Sequence, residues 1–382
     1  MAPAPLKLTA RELNRATLGR QLLLEREPIS VVDAVHRVVA LQAQEPPSPY
    51  LALWNRLADF DPASLDRAFA EHAVVKATLM RVTLHAVDAV DYPAFHEAMQ
   101  PTLRAARLND GRFRRSGLST EDADALLSEV LAFAAEPRSN ADAEAWLDGR
   151  VGETPKPGIW WAHRQYGPFV HHPTGGAWSF GPRPAYVAAR RQERSGDQTA
   201  SLAHLVRRYL EGFGPATVQD VAQFGLLSRP LVRAAVASIA NELVRLHGPN
   251  GEELWDIPDG LLPPEESPAP PRLLPMWDSV VLAYADRSRV VPPEYRKLVG
   301  RSNGDVLPTL LVDGHVAGVW RPVDAAIEAS AFHRLAEADW EGLEAESRSL
   351  LAFLANREPR IYTRYNRWWA ELPAAEVRII GR

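Results

Sequence analysis

Between residues 198 and 258 the spacing of apolar positions changes from helical periodicity to the alternation of a β-hairpin. Positions 202–209 are amphipathic, and Thr217 and Ser228 stand as N-caps of two further helices, the second running to Leu246. Asn250-Gly251 then separates two short strands, and this pair predicts a type I′ turn, which needs positive φ at both central residues. Three helices and a hairpin predict a winged helix-turn-helix module over residues 198–258.

The same order of elements recurs, less sharply, nearer the N-terminus. Helical segments precede strand character twice, which predicts a first winged-helix module over residues 1–100 and a second over 101–197. The first has a helix from the Thr9-to-Glu12 capping box to Leu24, a helix from Ser30 to about Leu41, a helix over 62–70 and strand character over 74–87. The second has helices over 119–135, 140–147 and 159–166 and a short strand over 177–180.

A proline-rich segment ends this repeating pattern. Seven prolines between residues 258 and 275 predict an extended linker over 259–275. Beyond the linker, 279–284 has the pattern of a strand, Asp313-Gly314 marks a second type I′ hairpin, and 340–356 reads as a helix. Residues 276–382 therefore predict a β-rich, barrel-like domain. The predicted fold class is α+β, with three tandem winged helix-turn-helix modules followed by this domain.

Composition narrows the class of protein. The 382 residues are 46% hydrophobic and contain no cysteine, which excludes disulfides, iron–sulfur clusters, thiolate zinc sites and cysteine nucleophiles. The N-terminal residues do not resemble a secretory signal, and no apolar run approaches the ~18 residues of a membrane span. We therefore expect a cytoplasmic protein that makes no membrane contact.

The charge balance leaves nucleic-acid binding open. A net charge of −5 opposes it, because a duplex binder neutralises phosphates with basic side chains. Only four of the 43 basic residues are lysine, however, and arginine binds phosphate with a bidentate fork. Arginines cluster over 104–115, 287–301 and 357–367, and Arg114 and Arg115 are candidate DNA contacts. The alternative is an arginine bias on solvated faces.

The candidate chemistry lies at Gln42-Ala43-Gln44. The P-loop, the nucleophile elbow and the zinc-protease and dinucleotide motifs are absent from the sequence, and His163, His171 and His172 lack the spacing of metal ligands on one helix face. Two amides on either side of one small residue point the same way where the chain becomes extended. The alternative is a polar helix end followed by a proline stop. Neither a metal nor an organic cofactor is expected.

Several motifs occur in an order that resembles the winged-helix DNA glycosylases of the AlkZ type. The resemblance runs from Leu8 to about Arg321. The motifs are Gln42-Ala43-Gln44, Arg81-Val-Thr-Leu-His85, 212–220, 274–278 with Tyr284 and Arg287, and 312–321. It implies three tandem winged helices, a C-terminal β-barrel, and catalysis by Gln42 and Gln44. A sister branch resembling YcaQ has a carboxylate at the second position, so Gln44 places this chain on the AlkZ side.

The family resemblance implies hydrolysis of the N-glycosidic bond of N7-alkylguanine, including bulky adducts and interstrand crosslinks. Guanine alkylated at N7 is cationic and leaves as a neutral base, so an amide that orients water suffices where other glycosylases use a carboxylate. No lysine stands near the motif in sequence, so we expect a monofunctional enzyme. The expected partner is double-stranded DNA containing alkylated guanine, bound by a monomer.

Other residues have weaker assignments. Arg81 and His85 are expected two side chains apart on one face of the first wing, where they contact the DNA backbone or merely edge a half-buried strand. Asp278 and Arg287 are expected to form a structural ion pair, with direct support of the reaction as the alternative. Rival functions for the whole chain are a non-enzymatic winged-helix transcription regulator and a scaffold for protein contacts.

Overall fold

The first hundred residues contain helices and a small antiparallel sheet in the order β1-β3-β2. The computed structural model describes residues 6–152, 157–190 and 197–382. The capping box of Thr9 and Glu12 begins the first helix as expected, but that helix ends at Arg20. The elements are α1 (Ala10–Arg20), α2 (Val31–Arg37), β1 (Leu41–Gln42), α3 (Ser48–Arg56), α4 (Pro62–Ala70), β2 (Val74–Thr78) and β3 (Leu84–Asp88).

Two expectations about this region are wrong. The second helix does not reach Leu41, because α2 ends at Arg37 and the chain is extended at β1. The prolines after Gln44 do not simply stop a helix: Pro47 is the N-cap of α3, and Pro49 lies in its first turn. Proline suits that position because its missing N–H would be unpaired there anyway.

The middle of the chain repeats helices followed by a sheet, here in the order β4-β6-β5. Residues 177–180, expected as a strand, form a turn, and the strands lie on either side of it. The elements are α5 (Tyr92–Leu108), α6 (Gly111–Arg114), α7 (Thr120–Phe133), β4 (Arg138–Ser139), α8 (Asn140–Val151), α9 (Pro157–Tyr166), β5 (Phe169–His172) and β6 (Ala185–Ala188).

The next segment has three helices and a two-stranded hairpin, as expected. Thr217 and Asp220 form a capping box, but the third helix ends at Ser238. In the hairpin turn Gly251 has a positive φ of 83° whereas Asn250 does not, so the expected type I′ turn is wrong. The elements are α10 (Gln198–Phe213), α11 (Val218–Gly225), α12 (Arg229–Ser238), β7 (Val244–His247) and β8 (Glu253–Asp256).

The C-terminal region is a five-stranded antiparallel sheet in the order β13-β12-β11-β10-β9. Among the described residues its edge strands β9 and β13 do not pair with each other, so the sheet is open rather than a closed barrel. Asp313 and Gly314 both have positive φ, which confirms that hairpin. The elements are β9 (Arg272–Leu274), α13 (Arg296–Val299), β10 (Thr309–Val312), β11 (His315–Val323), β12 (Ala326–Ala331), α14 (Glu337–Ala355) and β13 (Glu376–Ile380).

Residues 279–284, expected as a strand, begin with a 3-10 turn over Ser279–Val281. Asp278 caps this turn and forms a bidentate pair with Arg56 of α3, with both N–O distances 2.8 Å. The expected Asp278–Arg287 pair is therefore wrong. The Asp278 carboxylate is buried and is bound by Arg56. It pairs with Arg56 instead of Arg287 because the end of α3 contacts this turn.

The middle segment has a core of its own, which includes Val130, Leu147 and Trp160. The other segments share their cores. One cluster of buried residues joins Leu18 and Tyr50 of the N-terminal region with Trp320 and Ile380 of the C-terminal sheet. A second cluster joins the first sheet with α10 and α11. Buried ion pairs cross the same boundaries, including Arg20 with Asp256 at 2.7 Å. No helix in the described part of the chain is long and apolar enough to span a membrane.

Candidate active site

Strand β1 and the residues after it place the two glutamines beside the start of β3. Gln42 pairs with His85 across the sheet, and the Ala43 amide donates to the Leu84 carbonyl at 2.8 Å. Gln42 Nε2 donates to Thr83 Oγ1 at 3.3 Å, and Gln44 Oε1 accepts from the Leu84 amide at 2.7 Å. Both amides therefore bind neighbouring residues at the start of β3, and their shared catalytic role stays a prediction.

Gln42 belongs to a buried hydrogen-bonded group with Arg81 and His85. Arg81 Nη2 donates to Gln42 Oε1 at 2.5 Å and to His85 Nε2 at 3.1 Å. A guanidinium can only donate, so His85 Nε2 is the acceptor and Nδ1 carries the proton. That proton is donated to the Thr83 carbonyl at 3.1 Å. The imidazole is therefore neutral in this arrangement.

Burial sets the charge states of this group. It lowers the pKa of Arg81 to about 10, with the nearby Arg287 guanidinium acting in the same direction. Burial also lowers the pKa of His85 well below its usual value, and the charge of Arg81 lowers it further. At neutral pH the group therefore holds one positive charge, on Arg81, and a neutral imidazole.

Arg81 does not lie on a strand as expected but in the turn that joins β2 to β3. Arg81 and Val82 both have positive φ, 54° and 59°, a conformation that costs a non-glycine residue roughly 1–2 kcal/mol. Two long-range contacts hold the turn: Arg81 Nη1 donates to the Phe224 carbonyl at 3.3 Å, and Arg107 Nη2 donates to the Val82 carbonyl at 3.1 Å. Such strain is characteristic of functional sites.

Gln44 borders an open cavity of about 250 Å³. The cavity walls are aromatic and cationic: the Arg107 guanidinium lies 5.1 Å from the centre of the Trp161 ring, and Arg164 donates to the Tyr186 hydroxyl at 2.8 Å. None of the residues that line it is an aspartate or glutamate. The lining residues are Gln44, Thr78, Val82, Thr83, Leu84, Arg107, Trp161, Arg164, Gln165, His171 and Tyr186.

The arginines around the two glutamines are not neutralised. Within the described residues, Arg81, Arg107, Arg164 and Arg287 form no ion pair with a carboxylate. Burial lowers the pKa of Arg107 and of Arg287, and another arginine nearby lowers each further, while the Asp110 carboxylate partly offsets the effect at Arg107. A group of cations without acidic partners is suited to bind phosphate.

Arg114, Arg115 and His163 lie outside the group of arginines around the two glutamines. Arg114 and Arg115 are exposed at the end of α6, and their role as DNA contacts stays a prediction. His85 is fully buried, so it contacts DNA only if it leaves this position. His163 is buried between the carbonyls of Ile159 and Ala123, and no group of three possible metal ligands occurs in the described ranges.

Sequence reasoning did not assign Arg107 and Arg164 to the site. The arginine cluster over 104–115 was a signal for the first of them. Nothing local indicates that α5 and α9 bring these side chains to Gln44, because packing of helix α9 against β2 and β5 creates that proximity.

Comparisons with known proteins identify the class. The fold matches that of a DNA glycosylase: the solved structure of AlkZ from Streptomyces sahachiroi superposes with a TM-score of 0.78 at 22% identity, covering 92% of this chain and 98% of that one. An interstrand DNA cross-link repair glycosylase of the same organism is 26% identical over 351 residues, 86% of this chain and 91% of the relative.

Residues 35–353 match the family described as DNA glycosylase AlkZ-like. The chain belongs to this family and is a DNA glycosylase. The resemblance drawn from the sequence motifs is thereby confirmed.

Proposed function

We propose that this enzyme hydrolyses the N-glycosidic bond of guanines alkylated at N7 in double-stranded DNA, including bulky adducts and interstrand crosslinks. The observation that carries the proposal is that Gln44 lines a cavity that has no carboxylate in its lining, while Gln42 is bound beside it by Arg81 and Thr83. The name of the S. sahachiroi relative, an interstrand cross-link repair glycosylase, supports the same substrate class.

Gln44 orients the attacking water. Its oxygen accepts from the Leu84 amide at 2.7 Å, which leaves a second lone pair and two N–H protons for water and substrate. The Gln42 amide oxygen is bound by Arg81 and its nitrogen by Thr83, so Gln42 presents a fixed dipole beside the water. Holding water in place lowers the barrier by positioning, and no proton needs to reach the leaving group because the alkylated base departs neutral.

The absence of a carboxylate in the cavity lining limits the substrate. Without a general acid the site cannot protonate a neutral base, so unmodified guanine and neutral lesions are poor substrates. Glu45 is the nearest acidic residue in sequence, and Arg364 and Tyr365 bind its carboxylate. The cations around the cavity bind the DNA phosphates on either side of the lesion.

The organisation that goes with this function is three winged-helix modules, expected over 1–100, 101–197 and 198–258, a linker expected over 259–275 and a C-terminal β-rich domain. Two of these bounds are wrong: helix α5 (Tyr92–Leu108) runs across residue 100, and the end of the linker forms strand β9 (Arg272–Leu274), which pairs with β10. Each proposed module consists of helices followed by a small antiparallel sheet. The enzyme acts as a monomer on DNA in the cytoplasm. Arg114 and Arg115 contact the DNA backbone.

The test is base release from an N7-methylguanine duplex of random sequence. Wild-type protein is expected to release the base, and Gln44→Leu is not. Affinity for one particular sequence with an intact glycosidic bond would instead favour the transcription regulator. DNA affinity is expected to fall steeply with salt, with each phosphate contact adding about 0.9 to the slope of log affinity against log salt. A flat salt response would exclude the arginine group as the DNA-binding surface.

A further inference from the structure

The chain after α14 turns back onto the segment that carries Gln44. Arg364 forms an ion pair with Glu45, and the Tyr365 hydroxyl donates to the same carboxylate at 3.0 Å. Ser48, at the start of α3, lies 2.9 Å from the hydroxyl of Tyr362, and both side chains are buried. We call Tyr362, Arg364 and Tyr365 the C-terminal clamp. The family match ends at residue 353, so the clamp lies outside it.

The clamp and strand β3 bind the same short segment from different sides. Gln44 is bound through its side chain to the Leu84 amide, whereas Glu45 points toward the C-terminal residues. The peptide between these two residues is therefore held by contacts to two different parts of the chain. The Glu45 side chain is 13% exposed and that of Arg364 is 68% exposed.

Regular backbone structure contributes little here. Pro46 and Pro47 have no N–H to donate, and Pro47, the N-cap residue of α3, makes no side-chain capping bond. The Ser48 amide donates to the Glu45 carbonyl at 3.0 Å, so Glu45 and Ser48 are also linked to each other. Side chains of the clamp therefore replace the backbone bonds that would otherwise fix this turn.

Burial of Glu45 is consistent with this arrangement. Burial raises the pKa of the Glu45 carboxyl, while Arg364 and the hydroxyl of Tyr365 lower it. The carboxylate is held in place by groups that come from more than three hundred residues along the chain.

We propose that the C-terminal clamp positions the catalytic segment: Arg364 acts through Glu45, and Tyr362 through Ser48, to fix the backbone that carries Gln44. The clamp residues are positioning residues and touch no substrate. The inference rests on the proposed role of Gln44. An error of about 1 Å in the placement of a catalytic group costs up to ~10²-fold in rate, so loosening this segment lowers the rate without weakening DNA binding.

The kinetic test compares Arg364→Ala and Arg364→Lys in the full-length protein on an N7-methylguanine duplex. Arg364→Ala is expected to lower the single-turnover rate by ~10-fold at unchanged DNA affinity, and Arg364→Lys to recover most of it. The double variant with Glu45→Gln is expected to be no slower than the slower single variant, because both changes break one pair. Arg378→Ala is the matched control, since Arg378 of strand β13 also forms ion pairs, with Glu337 and Glu376, but not with Glu45.

Two results would overturn the proposal. The first is a wild-type rate in both Arg364→Ala and Tyr362→Phe. The second is a loss of DNA affinity in Arg364→Ala with a salt slope smaller by about 0.9, which would make the exposed guanidinium a phosphate contact.

Hydrogen exchange separates this proposal from the proposed function. The Ser48 amide, which donates to the Glu45 carbonyl, is expected to exchange faster in Arg364→Ala than in wild type or Arg378→Ala, whether or not any base is released. Unchanged exchange would overturn the clamp. If wild type releases no base while exchange responds as expected, the function proposal fails and the contact between the clamp and the segment stands.

Discussion

Gln42 and Gln44 are separated by one residue but lie in different surroundings. Gln42 is 5% exposed, and both ends of its amide are bound, by Arg81 and Thr83. Gln44 borders the cavity and is bound only through its oxygen, by the Leu84 amide. Arg81 and the Leu84 amide can only donate, so each fixes which end of its glutamine is the oxygen.

This difference agrees with the separate tasks proposed for the two amides. The buried one is a fixed dipole supported by charge, and the partly exposed one has bonding capacity left for water. A pair of identical residues in a motif therefore does not imply two identical roles. Variants of the two glutamines are therefore expected to have different effects on the rate of base release and on the free energy of unfolding.

The largest effect is expected at Gln44. Gln44→Leu keeps similar bulk but cannot orient water, so the single-turnover rate on N7-methylguanine DNA should fall at least ~10²-fold at unchanged DNA affinity. Gln44→Glu should keep part of the activity, because a carboxylate accepts the same bond from water and stabilises the cationic sugar. A Leu variant as fast as the Glu variant would remove Gln44 from the mechanism.

Gln42→Ala is expected to lower the rate by ~10²-fold and, unlike changes at Gln44, to lower stability as well. The change removes one of the three acceptors of the Arg81 guanidinium, and a buried N–H that loses its acceptor costs about 1–3 kcal/mol. Denaturant unfolding of Gln42→Ala and Gln44→Ala side by side measures this. Equal free energies of unfolding in the two variants would contradict the division of roles.

Arg81 should have an intermediate effect. Arg81→Met removes the donor that fixes Gln42 and is expected to slow base release ~10-fold while DNA affinity changes little. Arg81→Lys keeps the charge but loses the guanidinium that donates to both Gln42 and the Phe224 carbonyl, so it should recover only part of the rate. If Arg81→Met instead loses affinity and salt dependence together, Arg81 is a phosphate contact.

The smallest effect is expected from pH. The wild-type rate should vary less than ~2-fold between pH ~6 and ~8, because neither glutamine titrates and burial keeps the pKa of His85 well below that range. His85 also makes stability depend on pH. Its pKa is lower in the folded state than in the unfolded chain, so below pH ~6.5 the unfolded chain binds more protons. The free energy of unfolding should therefore decrease as the pH falls below that value. A bell-shaped rate profile would point to a titrating base.

The parts of the fold that depend on local interactions could be predicted from sequence. The capping box at Thr9, the N-cap at Thr217 and the turn at Asp313-Gly314 need only residues a few positions apart, and all three are confirmed. The type I′ turn at Asn250-Gly251 is equally local, and that prediction is wrong. The turn at Arg81 and Val82 could not be found, because it has no glycine and its supports, Phe224 and Arg107, lie far along the chain.

Two other misses have the same origin. The prolines after Gln44 read as a stop, yet they begin α3, whose start is held by Tyr362 from the C-terminal clamp. Residues 279–284 have the composition of a strand, but the Asp278 cap and its pair with Arg56 favour a 3-10 turn. Gln42 and Gln44 could be predicted from the resemblance of the sequence motifs, whereas the arginines that line the cavity are found only in the tertiary structure.

The position of helix α1 has a consequence for how the protein is made. Arg15 of this helix is fully buried and pairs with Asp313, 298 residues further along the chain. At a synthesis rate of about 5–20 residues per second, the ribosome takes roughly 15–60 s to supply that partner. A buried guanidinium without its partner is costly, so the N-terminal helix cannot settle in its final place during this time. Helix α1 therefore reaches its final place only after residue 313 has been synthesised.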